Sequence, residues 1–152
     1  MTIEAIVHQA FAKTEKPHGA LFATEDDEGA RAMFADARWE DIEPDALRRQ
    51  SAAVNFLSPP AFAYFLPALM LASLSDAGVR DSLVARLLPP KGDPTRPSFA
   101  SWWELLSPPQ RSAAIAFVDH CNESGHALPS ASVEALKSVA APNKSLERTR
   151  SR

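Results

Sequence analysis

Apolar residues recur along much of this chain at helical spacing. Ile3, Ile6, Val7, Ala10 and Phe11 fall on one stripe and predict a helix over Thr2 to Glu15. Thr2 is placed to cap it, and Pro17 with Gly19 to stop it. A second helix is expected from Thr24, where Thr24-Glu25-Asp26-Asp27 fits a capping box and puts acids beside the positive end of the helix dipole. A hard-cation loop would need spaced oxygen ligands and a turn glycine, so the helix start is preferred. Trp39, Ile42 and Leu47 punctuate an acidic connector and are read as packing down from it, and Pro44 can open a short helix.

The centre of the chain carries the strongest pattern. Ser58-Pro59-Pro60 leads into a run from Ala61 to Leu74 that is apolar nearly all round. Ser58 is a cap candidate, and two prolines in a first turn forfeit no intrahelical bond. Leu57 stands where it can staple onto Phe62. Such a helix belongs either in a core or in a bilayer; Ser58–Leu74 is short of the roughly 20 residues a span needs, and Pro67 interrupts it. A buried core helix, kinked at Pro67 and ended by Asp76-Ala77-Gly78, is therefore expected. Val79, Leu83, Leu87 and Leu88 predict a further helix closed by Pro89-Pro90, followed by an exposed, mobile loop over Lys91–Pro97. Phe99, Trp102, Trp103, Leu105 and Leu106 then approach a last main helix. Its start, Ser107-Pro108-Pro109-Gln110, is a regular capping box, its stripe is Ala114, Phe117, Val118 and Cys121, and Glu123-Ser124-Gly125 ends it. Beyond Ala127 large apolar residues thin out, and Val133, Leu136 and Val139 support only a turn or two.

These segments imply an all-α, mainly α fold: a compact irregular bundle of about five to six helices around a kinked buried central helix. The expected organisation is one helical domain over residues 1–126, marginal helix or coil over 127–142, and a disordered basic tail over 143–152. The 152 residues suffice for one domain with a substantial core. A single cysteine permits no intrachain disulfide, and no secretory layout opens the sequence, so a cytoplasmic, soluble protein is expected.

Charge is uneven. The net is −3; the tail from residue 143 holds Lys144, Arg148, Arg150 and Arg152 against Glu147, or +3, so the body carries −6. An acidic body disfavours nucleic acid and anionic membrane.

Phe56-Leu57-Ser58-Pro59 with Phe62-Ala63-Tyr64-Phe65-Leu66-Pro67-Ala68-Leu69-Met70-Leu71 resembles a family of small bacterial proteins, domain of unknown function 6714. Trp39 upstream and the Leu106–Arg111 helix start are similar to that family as well, and the likeness runs over roughly residues 3 to 122. The resemblance implies a compact helical protein and brings no activity, cofactor or site residue.

Candidate chemistry is sparse. Of the four histidines, His8, His18, His120 and His126, the last two flank Cys121 in a set of soft-metal ligand types, but without the paired spacing of a zinc site. Cys121 lies on an apolar stripe near a helix C-terminus, where the dipole opposes a thiolate, and His120 projects about 100° away, so a catalytic pair is disfavoured. Ser58 and Ser107 are explained by capping. Asp36 and Glu40 could neighbour each other on a helix, but they read with Asp45 as a solvated face. No catalytic, cofactor-binding or metal-ligating residue is assigned, and no cofactor is expected.

Three functions remain open on these residues. A non-enzymatic interaction protein, an adaptor or immunity-type partner, would meet another protein through its acidic surface. A small enzyme would gather Trp102, Trp103 or Tyr64 with carboxylates or histidines around a pocket. Nucleic-acid binding would rest on the basic tail and on Arg48-Arg49, with no aromatic interleaving to support it. Oligomeric state stays open, since Trp39, Trp102 and Phe99 suit a core or a dimer interface equally.

Overall fold

A computed structural model describes residues 1–22 and 28–140, the side chains of 28–31 excepted. The capping box expected at Thr24 and the basic tail from residue 143 lie outside the described residues. Eight α-helices are described: α1 (Ile3–Phe11), α2 (Glu28–Ala35), α3 (Pro44–Arg49), α4 (Pro59–Ser73), α5 (Ala77–Leu87), α6 (Pro97–Trp103), α7 (Pro108–Glu123) and α8 (Ser130–Ala140). Short 3-10 turns at Trp39–Asp41, Ser51–Asn55 and Pro90–Gly92 join them. The protein is mainly α, and the only strand-like pairing among the described residues is one bridge between Phe22 and Leu57. No helix of the described residues is long and apolar enough to cross a membrane.

The central helix α4 sets the plan. The Ser58 hydroxyl accepts the Ala61 N–H at 3.3 Å, and Pro59 and Pro60 fill the first turn. Every residue from Ala61 to Met70 is buried, so the helix has no solvent face to orient. It runs as one continuous α-helix through Pro67, whose missing N–H removes the bond to the Ala63 carbonyl. α1, α3, α5, α6 and the Trp39–Asp41 turn all pack against it. The aromatic shell is tight: Phe34 meets Phe65 edge-on at 4.7 Å, and Trp102 meets Phe62 likewise at 4.7 Å. Such pairs contribute about 0.5–1.5 kcal/mol each beyond their burial.

Local sequence explains most boundaries. Thr2 caps α1, its hydroxyl accepting the Ala5 N–H at 3.1 Å. α1 stops at Phe11 instead of continuing to Glu15, and the freed chain carries Lys16 across to the end of α2. Asp76 both follows α4 and starts α5, its carboxylate accepting the Val79 N–H at 2.9 Å. The expected stop signal is thus also the next helix's cap. At α7 both halves of the Ser107–Gln110 box form, at 2.9 and 3.3 Å. The Gln110 amide also donates to the Thr14 hydroxyl at 2.9 Å, tying α7 to the exit of α1. Gly125, at φ +88°, closes α7. The His126 N–H reaches the Cys121 carbonyl at 3.0 Å, and the Gly125 N–H reaches that of Asn122 at 3.2 Å, the two bonds of a Schellman end.

The stretch after α7 departs from the pattern reading. The stretch 127–142, read as marginal, holds the full helix α8, which packs on α7 and on the Pro90–Gly92 turn and buries Ser132, Val133 and Leu136. Its few apolar residues suffice because α7 supplies the opposing surface and the Ser132 hydroxyl donates to the Pro89 carbonyl at 3.2 Å. Gly92, at φ +71°, lets the turn lie against the Ala131 backbone; a Cβ there would sit 3.5 Å from the Ala131 carbonyl oxygen. The exposed loop after it carries its own scaffold, in which the Asp93 carboxylate accepts from the Thr95 N–H and hydroxyl and pairs with Arg96.

Two truncations test this core. Phe65→Ala should cost about 3–5 kcal/mol and Leu136→Ala about 2–5 kcal/mol in urea unfolding. An unchanged midpoint for the second would detach α8 from the cooperative unit.

Candidate functional site

The aromatics that an enzyme pocket would have used are core. Trp102 and Trp103 lie on α6 beside Phe99, whose ring stacks on that of Trp103 at 5.3 Å, and both indoles are buried. Their Nε1–H groups are buried and meet no acceptor among the described residues. Tyr64, on α4, is equally buried, and its hydroxyl accepts the Trp39 backbone N–H at 3.2 Å. None of the three lines any of the clefts described below.

His120, Cys121 and His126 do converge, because the Schellman end folds His126 back over the last turn of α7. They surround a cavity of only about 30 Å³ together with Ser73, Leu74, Arg80 and Ser124. Arg80 donates to the Ser73 carbonyl at 3.0 Å and brings a fixed positive charge into the same space. Among the described residues no group of three His, Cys, Asp or Glu side chains could hold a metal ion. Burial pushes the Cys121 thiol above its ordinary value, against a smaller opposing effect of Arg80. His8 lies on the Trp39 ring at 5.3 Å, and His18 is exposed on the connector after α1. Ser58 and Ser107 are caps, as their positions imply.

The acids after α2 are arranged differently from the helical face considered above. Asp36 follows the end of α2 and Glu40 sits in the 3-10 turn, so the two share no helix. Asp36, Glu40, Asp41, Glu43 and Asp45 are all exposed on one connector. Within it Glu40 pairs with Arg38 at 2.9 Å, and Asp45 pairs with Arg48 at 3.3 Å. The connector is held from beneath. Trp39 is buried and its indole donates to the Phe11 carbonyl at 3.3 Å; Ile42 and Leu47 are buried with it. At its start the Lys16 ammonium donates to the carbonyls of Phe34, Ala35 and Ala37 at 2.9, 2.7 and 2.7 Å. Three donors on one ammonium thus satisfy the free carbonyl end of α2.

Three larger clefts lie among the described residues. One, of about 550 Å³, lies between α5 and the chain that joins α7 to α8, lined by Arg80, Asp81, Val84, His126 and Leu128 among others. A second, of about 480 Å³, runs between α1 and α7 past Met1, Ile6, Ala10 and Pro109 and is mainly apolar. The third, of about 390 Å³, lies between α5, α6 and the chain leading into α4, lined by Asn55, Pro59, Arg86, Ser98 and Ser101 among others. Arg86 was not marked by any sequence motif. Its only local signal is a cation beside Leu87 and three residues after Leu83, at the margin of the buried stripe of α5.

The family described as "Family of unknown function (DUF6714)" matches residues 3–140 of the chain. No match was found among curated proteins or among solved structures.

The raised thiol has a pH consequence. Below the ordinary thiol value of 9.0 both folded and unfolded chains keep the proton; above it the unfolded chain ionises first, so stability falls as pH rises. In melting curves from about pH 8 to 10, Cys121→Ala should lose stability less steeply than the parent chain. Parallel slopes would show that the thiol is not the group responsible.

Proposed function

The chain belongs to the family of unknown function DUF6714, and we propose that it is a non-enzymatic interaction protein of the bacterial cytoplasm, an adaptor or immunity-type partner. It meets a basic protein through its acidic connector. One observation carries this reading: five exposed carboxylates, Asp36, Glu40, Asp41, Glu43 and Asp45, ride on a segment anchored through Trp39, Ile42 and Leu47. A charged surface held in one shape loses little conformational freedom on binding, which lowers the cost of association. Opposite charge on the partner raises the rate of encounter and sets orientation. Tyr64, Trp102 and Trp103 are buried, which favours this reading over a pocket lined by those aromatics.

The test is native copurification with the full chain in parallel with an Asp41→Lys, Glu43→Lys variant. Both side chains are exposed, so the variant should fold. A partner with an isoelectric point above about 9 should be retained at about 0.05 M salt and released near 1 M, where screening shortens to about 3 Å. The variant should not retain it. Recovery of the same proteins by both chains, or of none by either, would remove the acidic connector from the function.

A further inference from the structure

Arg86 is an unusual cation in this molecule. It projects from α5 half-buried, with its guanidinium carbon 4.3 Å from the centre of the Phe62 ring. Nη1 donates to the Val54 carbonyl at 2.6 Å, and this is the single hydrogen bond it makes among the described residues. No described carboxylate pairs with it, although the body of the chain carries −6. Burial pulls its pKa down to about 10, so it remains charged at neutral pH while bearing a desolvation penalty.

The surroundings match the chemistry of that charge. The cleft beside Arg86 has a volume of about 390 Å³, within the range of small-molecule sites. No acidic residue lines it; its polar side chains besides Arg86 are Asn55, Ser98 and Ser101, all neutral and all able to donate a hydrogen bond. Leu57, Pro59, Leu88 and Pro90 supply apolar wall. A guanidinium placed over an aromatic face, with donors left over, presents the fork that recognises an oxyanion. We propose that this cleft binds the oxyanion head, carboxylate or phosphate, of a small molecule, with Arg86 as the charge partner and Asn55, Ser98 and Ser101 as neutral donors. The site is independent of the acidic connector, and neither proposal depends on the other.

The experiment is calorimetric titration of the full chain with inorganic phosphate and, separately, with acetate, against sodium chloride at matched ionic strength. Saturable binding of at least one of the two is expected. Phosphate alone would identify a phosphate-bearing ligand, acetate alone a carboxylate-bearing one, and both a site that reads charge alone. Arg86→Gln should weaken the binding about tenfold or more, the effect of losing a charge-assisted bond. Because Arg86 also supports Val54 and Phe62, a second variant guards against misfolding. Ser101→Asp changes an exposed position and sets a carboxylate beside the guanidinium, so it should abolish binding while the melting temperature holds or rises. Heats that match sodium chloride for both anions would overturn the proposal, and so would undiminished binding by Ser101→Asp.

Discussion

A helix without a polar face has to be surrounded, and that requirement governs the whole molecule. From Ala61 to Met70 the side chains of α4 are apolar but for the Tyr64 hydroxyl, which is met by the Trp39 N–H, so each of its sides needs cover drawn from elsewhere in the chain. α1, α3, α5 and α6 provide it, and the Trp39–Asp41 turn fills the remaining approach with one large indole. Long helices would be too straight and too few to wrap a single rod from all sides. Short helices broken by prolines and 3-10 turns can do so, which accounts for the placement of proline at the first turn of α3, α4, α6 and α7.

Many short helices bring many carbonyl ends, and here cations meet them. Lys16 satisfies the end of α2, Arg80 the Ser73 carbonyl at the end of α4, and Arg111 the Trp103 carbonyl at the end of α6. Arg86 does the same for Val54 in the 51–55 turn. Each places positive charge at the negative end of a helix or turn. Those cations are directed at backbone oxygens and leave surface carboxylates with fewer partners.

What sequence reading recovers follows from the range of the interactions involved. The caps at Thr2, Ser58 and Ser107 need only residues three positions apart, and the stripes of α5 and α7 need only helical spacing. α8 is hard to read in the sequence because it packs on α7 and on a turn some forty residues upstream, neither of which is visible from its own composition. The sequence around Asp76 reads as a stop, and the same residue also opens the next helix, its carboxylate accepting the Val79 N–H. Lys16 and Arg86 act on carbonyls 18 to 32 residues away, and a backbone oxygen has no letter in the sequence. The same limit hid the oxyanion cleft. Its residues, Asn55, Arg86, Ser98 and Ser101, are ordinary singly and come together only through the packing of α5 and α6.

The pairing of α1 with α7 also bears on how the chain is made. About 100 residues separate the two helices, so ribosomal synthesis at about 5–20 residues per second leaves α1 waiting roughly 5–20 seconds for that partner. Until α7 emerges, the flank of α1 that it covers faces the translation milieu bare. A nascent chain thus offers chaperones a greasy handle on α1 for the interval before α7 emerges.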